Sequence, residues 1–258
     1  MSEQEKKNSV LDKRSSRRTF IKNSGLTVGG VVLGGALGSL LVNKETSTTT
    51  ETHQHNATVS SANPNEALMF LTLEQYNVVE AAAERIFPED ELGPGAKSLG
   101  VAMFIDHQLA SPWGLSAKEY MTGPFKVGTA TQGYQGRQKN AEIFMMGLTA
   151  LENYTKSNYE NARFNELTAE QQDAILMDFE NISGENKVLI TGITSNQFFN
   201  MLKNLTLEGL YSDPMYGGNK GMGGWKLKNY PGHQMSFKAV MEKEEFIVYE
   251  PQSLSSMH

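Results

Sequence analysis

Two short strings dictate where helices can begin in this chain. Thr72-Leu-Glu-Gln75 and Thr168-Ala-Glu-Gln171 each place a hydroxyl three residues ahead of a glutamine. At that spacing the two side chains satisfy each other's backbone N–H groups at a helix N-terminus. Behind the first string, Leu73, Tyr76, Val79, Ala83 and Ile86 recur on one helical face until Pro88, which cannot continue a helix. The spacing predicts a helix over 72–87. A second follows over about 97–110, with Val101, Phe104, Ile105 and Leu109 inward and Ser111-Pro-Trp-Gly114 as its stop. A third covers about 138–160, with Ile143, Phe144, Met146, Leu148 and Leu151 inward. Thr168 opens a fourth, and 187–210 gives a fifth with Leu189, Ile193, Phe198, Phe199 and Leu202. An acidic turn, Glu89-Asp-Glu-Leu-Gly-Pro-Gly-Ala96, and an irregular Gly- and Thr-rich stretch over 115–137 separate these elements. No βαβ alternation and no 20–50-residue repeat interrupts the pattern, so a dinucleotide-binding Rossmann domain is not expected. The fold class is all-α: about five helices and a long irregular Gly/aromatic segment near the C-terminus. Glu245-Phe-Ile-Val-Tyr-Glu250 reads as a short strand or an arm.

That irregular segment runs from Asp213 to Gly232. Five of the eight residues from 217 to 224 are glycine, and Tyr216, Trp225, Tyr230 and two prolines surround them. Glycine and proline are poor helix formers, which excludes an ordinary helix, and linkers carry few aromatics. A phosphate cradle fails on both templates: no Gly-Lys-Ser/Thr opens a helix, and the Rossmann spacing counted from Gly221 meets Lys226 after a helix instead of a strand. The dull alternative is a tight surface coil with several residues at positive φ. A third reading has the glycines bringing the backbone close to another surface, with Tyr216, Trp225 and Tyr230 as anchors of the kind enriched at protein interfaces. Asp213 and Asn219 would hold the turn by side-chain-to-backbone hydrogen bonds.

Charge is unevenly spread along the 258 residues. The first 22 hold seven Lys/Arg and three Asp/Glu; the rest hold 16 basic and 26 acidic side chains. An acidic body repels nucleic acid. The absence of cysteine excludes disulfides, thiolate metal sites and covalent haem attachment by this chain. Within the basic end, Arg17, Arg18, Phe20 and Lys22 stand in the order of a bacterial twin-arginine signal, and the uncharged, glycine-diluted run 25–42 follows. The alternative is a basic patch before a transmembrane helix. The organisation expected is a signal or anchor over 1–45, a Thr/Ser/Asn-rich tether over 46–66, a helical domain over 67–235 and a tail over 236–258. The protein is expected to be exported by the twin-arginine route to the periplasm or the outer face of the cytoplasmic membrane. Its signal is either cleaved or kept as an anchor through 25–42. That route carries folded cargo, so export together with a folded partner is expected.

Self-sufficient chemistry is scarce. His53 and His55 sit in the tether, and His258 is terminal; no two histidines of the helical body have ligand spacing, so no metal is expected. Asp106-His107 could form an acid–base dyad with His233, but a surface or capping histidine is the commoner case. Glu80 and Glu84, one turn apart, read as a solvated helix face beside Arg85. No Gly-x-Ser-x-Gly elbow occurs.

Three blocks carry a resemblance. Arg85-Ile-Phe-Pro-Glu-Asp-Glu-Leu-Gly-Pro-Gly-Ala96 and Gly100-Val-Ala-Met-Phe-Ile-Asp-His-Gln-Leu-Ala110 are two of them. The third is Glu208-Gly-Leu-Tyr-Ser-Asp-Pro-Met-Tyr-Gly-Gly-Asn219, running on to Gly224-Trp-Lys-Leu and Tyr230-Pro-Gly232. Together they resemble the gluconate 2-dehydrogenase subunit 3 family, the small subunit of membrane-bound sugar and sugar-acid dehydrogenases. The resemblance spans about 67–235, and Lys220-Gly-Met-Gly-Gly224 is longer in glycine than the family pattern. It implies a non-catalytic subunit that binds, stabilises and co-exports a large flavoprotein of the glucose–methanol–choline type. That partner would hold FAD, with or without a haem-bearing cytochrome c subunit beside it. No cofactor and no catalytic residue are expected in this chain. Candidate partner contacts are Asp213, Tyr216, Gly217, Gly218, Asn219, Trp225 and Tyr230. Two other readings stay open: an independent enzyme around Asp106, His107 and His233, and a transient export chaperone.

Overall fold

The computed structural model describes residues 66–126, 128–129, 132–181, 189–190, 192–245 and 247–257. The twin-arginine residues Arg17, Arg18, Phe20 and Lys22, the apolar run 25–42, the tether with His53 and His55, and His258 lie outside the described residues.

Among the described residues five helices and a short sixth build the body: α1 (Leu73–Ile86), α2 (Val101–Ala110), α3 (Asn140–Asn158), α4 (Ala169–Glu180), α5 (Ser195–Tyr211) and α6 (Gly223–Leu227). An all-α domain is what the periodicity predicted. Both capping boxes form. Thr72 Oγ1 accepts from Gln75 N while Gln75 Oε1 accepts from Thr72 N, and Thr168 and Gln171 repeat the exchange.

α5 is the central helix and packs against α1, α2, α3 and α4. Phe198 on α5 sits fully buried between Phe144 of α3 and Phe179 of α4, edge-on to both at 5.5 and 6.0 Å. The close approach of α3 to α5 requires Gly147, because a Cβ there would lie 2.0 Å from Phe198 Cγ. Ile143, Leu148, Leu151, Ile175 and Leu202 complete this centre. Arg85 of α1 ties in α4 through two 2.8 Å hydrogen bonds to the Asp173 carboxylate.

Several boundaries differ from the periodicity for local reasons. The fifth helix starts at Ser195, not 187. Leu189–Ile190 (β1) pairs antiparallel with Ile193–Thr194 (β2) across Gly192 at φ +89°, and Thr194 then caps α5 by accepting from Gln197 N. A β-branched run broken by glycine makes a hairpin more readily than a helix start. The second helix begins only at Val101, after Gly100 at φ +69°. Leu73 was placed on the buried face of α1 but is 66% exposed; α1 buries Val78, Val79, Ala82 and Ala83. No strand forms among the described residues of 245–250; Gln252 instead bridges in parallel to Gly232.

Glu80 and Glu84 are not an idle solvated face. Glu80 pairs with Lys97 at 3.1 Å, and the Glu84 carboxylate accepts from the backbone N–H groups of Glu89 and Lys97. The acidic turn is thus folded around an acid of the preceding helix. Gly95 leaves room for it, since a Cβ there would meet Glu84 at 2.5 Å.

Candidate functional site

The Gly/aromatic segment is built onto the C-terminal end of α5. A helix leaves its last carbonyls without intrahelical partners, and these must be met by other donors. Trp225 Nε1 donates to Tyr211 O at 2.8 Å, Asn219 Nδ2 to Ser212 O at 2.8 Å, and Ser212 Oγ to Gly209 O at 3.2 Å. Asn219, fully buried at φ +49°, also accepts from Gly224 N at 2.8 Å. One amide side chain therefore ties the last glycine of the run to the end of α5.

The glycines serve the same contact. A Cβ on Gly224 would lie 1.9 Å from Leu210 O, and one on Gly218 would lie 2.4 Å from Gly209 O. The surface that the backbone approaches is this chain's own central helix. On that seat the segment makes a three-residue 3-10 turn at Pro214–Tyr216, another at Lys220–Met222, and then α6. A helix inside the run departs from the expectation drawn from its composition. It is only five residues long, and tertiary hydrogen bonds hold it. Lys220 N donates to Leu99 O, joining the segment to the approach of α2.

Asp213 works as a clamp. Its Oδ1 accepts from Met215 N and from Ser253 Oγ at 2.6 Å, and its Oδ2 accepts from Leu254 N at 2.9 Å. The seven candidate contact residues are thus divided by the fold. Asn219, Gly218 and Trp225 are buried in the chain, Trp225 at 5% exposure. Asp213 and Gly217 are half-buried, while Tyr216 and Tyr230 remain about half exposed. Trp225 packs edge-on to Tyr230 at 5.3 Å and is a core anchor, with its ring turned to its own chain. The rim left to another molecule is Tyr216, Tyr230 and Met215.

A cavity of about 520 Å³ opens beside this rim, lined by Tyr211, Trp225, Lys228, Tyr230, His233 and Leu254. Its walls are largely aromatic, and Asp213 and Lys228 line it with opposite charges; Lys228 Nζ lies 5.9 Å from the Tyr211 ring centroid. A larger cleft of about 1030 Å³ runs between α5 and parts of 125–136, floored by Asn196, Asn200, Asn204 and Glu208. Burial pushes the Glu208 carboxyl above the usual carboxylate range. The amides of this floor partly serve the fold: Asn200 Nδ2 donates to Asn196 Oδ1, and Asn196 Nδ2 donates to Glu180 O at the end of α4.

Of the residues proposed for an independent active site, Asp106 and His107 are committed elsewhere. Asp106 is fully buried and accepts from the backbone N–H groups of Met69, Phe70 and Leu71 at 2.6, 3.0 and 2.6 Å. His107 Nε2 lies 3.0 Å from Ala67 O. Both hold the irregular lead into α1. His233 lines the aromatic cavity and lies 3.4 Å from Met235 Sδ. Sequence reasoning missed this capping role of Asp106, because its partners are some 36 residues away and are main-chain atoms without a sequence signature. Ser253 and the acid clamp were missed for the same reason. Among the described residues no group of three or more His, Cys, Asp or Glu could hold a metal ion, and no helix is long and apolar enough to cross a membrane.

The model of one protein family, described as gluconate 2-dehydrogenase subunit 3, matches residues 73–232, from the first residue of α1 to the glycine that closes the Gly/aromatic segment. No curated protein and no solved structure matches the chain.

Proposed function

The chain belongs to the gluconate 2-dehydrogenase subunit 3 family, and from that premise we propose that it is a non-catalytic small subunit that binds, stabilises and co-exports the FAD-containing large subunit of a sugar-acid dehydrogenase. The large subunit would be a flavoprotein of the glucose–methanol–choline type holding the FAD, with or without a haem-bearing cytochrome c subunit to take its electrons onward. The complex would act in the periplasm or on the outer face of the cytoplasmic membrane, addressed there by Arg17, Arg18, Phe20 and Lys22.

The observation that carries this reading is the match over 73–232 combined with the way its last segment is built. A buried frame of Asn219, Gly224 and Trp225 caps α5 and holds Tyr216, Met215 and Tyr230 outward on rigid supports. Half-exposed tyrosines on a fixed scaffold suit recognition of another protein, because little side-chain freedom is lost on docking. Asp106 and His107, two of the three residues of the alternative catalytic group, are used to pin the chain's own backbone.

Co-expression tests it. With the wild-type chain, the FAD-loaded large subunit should appear in the exported fraction and co-purify with this protein. Replacing Arg17 and Arg18 together by Lys should leave both proteins in the cytoplasm. A large subunit exported and FAD-loaded in the absence of this chain would sink the co-export reading.

A further inference from the structure

Beyond the matched residues the chain makes a long excursion, 233–253, and returns to where it left. Its two ends are fastened together. His233 N donates to Gln252 O at 2.7 Å and Gln252 N to Pro231 O at 3.1 Å, while Asp213 accepts from Ser253 and Leu254. Gly232, at φ +67°, permits this closure, since a Cβ there would lie 2.3 Å from Gln252 O. Halfway out, Phe237 and Tyr249 brace the two limbs edge-on at 6.0 Å. The excursion's described residues hold one three-residue 3-10 turn, Lys238–Val240, and the pinned base and the Phe237–Tyr249 brace set it apart from a plain linker.

The excursion displays several large apolar side chains to solvent. Met235 is 81% exposed, Met241 77% and Val248 66%. A pinned base and a cross-brace hold three large apolar side chains out in solvent, where burial against another apolar surface would be favourable. Methionine adapts its shape to an uneven apolar surface. Charge selects the kind of surface. The excursion carries Lys238 and Lys243 against Glu242, Glu244, Glu245 and Glu250. An acidic arm of this kind is repelled by an anionic bilayer and suits an apolar protein surface with a basic rim.

We propose that residues 233–253 form a pre-shaped docking arm whose Met235, Met241 and Val248 insert into apolar hollows on the large flavoprotein subunit. The arm is a second contact, separate from the Tyr216 and Tyr230 rim, and it rests on the reading of this chain as the small subunit of that complex. Asp213 joins the two contacts: it lies in the segment that presents Tyr216 and holds the arm's returning end. Because the base is fixed beforehand, docking orders little new backbone.

The test uses the full chain and the FAD-loaded large subunit, with affinity measured by titration. A triple variant, Met235→Ser with Met241→Ser and Val248→Ser, should keep the wild-type circular dichroism and thermal midpoint, since all three side chains face solvent. It should bind the large subunit at least tenfold more weakly. In the wild-type complex, amides of 235–250 should gain hydrogen-exchange protection. Unchanged affinity of the triple variant would overturn the arm and leave the small-subunit reading intact. Weaker binding without protection of 235–250 would also overturn it, the effect then being indirect. Failure of the wild-type chain to bind would overturn both. Binding of the arm to phosphatidylglycerol vesicles, with the affinity for the flavoprotein unaffected by the triple change, would transfer it to the membrane and overturn the proposal.

Discussion

Trp225 illustrates how one side chain can be prominent in sequence and still be misjudged in role. It is the largest residue of the Gly/aromatic segment, which suggests an interface anchor. Its ring is buried and its Nε1 donates to Tyr211 O at the end of α5. Trp225→Ala should therefore lower unfolding free energy by about 3–5 kcal/mol in denaturant titrations, the range for emptying a large buried site. Trp225→Phe keeps most of the apolar contact and removes the donor, so it should cost about 1–3 kcal/mol. Tyr216→Ala, at an exposed position, should leave stability within about 0.5 kcal/mol of wild type. If Trp225→Ala left stability untouched, the helix-cap role of the segment would fail. Asp106 shows the same exchange of roles: an acid beside a histidine suggests catalysis, but its carboxylate collects three backbone donors from the lead into α1.

Among the helices, the contact of α3 with α5 leaves no room for an added methyl group and sets a second expectation. Alanine in place of a mid-helix glycine ordinarily favours the helix by about 1 kcal/mol. At Gly147 the new Cβ would meet Phe198, which Phe144 and Phe179 prevent from moving. Overpacking of this kind costs about 1–3 kcal/mol and should outweigh the propensity gain. Gly147→Ala should thus lower the thermal midpoint, and Phe198→Leu should be less harmful in that background than in the wild type, as a double-mutant cycle would measure. Helix starts were legible where the signal was local, as at Thr72 and Thr168. The start of α5 was not, because the apolar spacing of Leu189 and Ile193 is the same in a hairpin and a helix until Gly192 and the Thr194 cap decide. The short α6 was hidden for the opposite reason. Its composition opposes a helix, and only the seat on α5 supports one.

For the molecule as a whole, two tyrosines predict how stability responds to alkali. Tyr76 is pushed up to about 12, chiefly by burial and then by the nearby Glu80 and Asp106 charges. Tyr154 is likewise raised to about 12, by burial and by its hydrogen bond to Asp178. In the unfolded chain both phenols ionise near their ordinary value of about 10. Between about pH 10 and 12 the unfolded state therefore binds fewer protons than the folded one, and stability falls as pH rises through that window. Denaturant midpoints should be flat from pH 8 to 9.5 with respect to these groups and drop above 10. Tyr76→Phe with Tyr154→Phe should flatten the alkaline drop. An unchanged slope in the double variant would refute the assignment.

The chain's order of residues alone was enough for the all-α class, the capping boxes, most of the inward faces of α2 and α3, and the resemblance now matched over 73–232. Those properties depend on residues within a turn or two of one another, where spacing is the physics. Tertiary structure alone decided which aromatics of the Gly/aromatic segment face inward, that Asp106 caps a distant backbone, and that Asp213 holds residues 253 and 254. Hydrogen bonds from side chains to far-off main-chain atoms leave no periodic trace. The same residue types would have served an interface or a core, and the position of the end of α5 determined which.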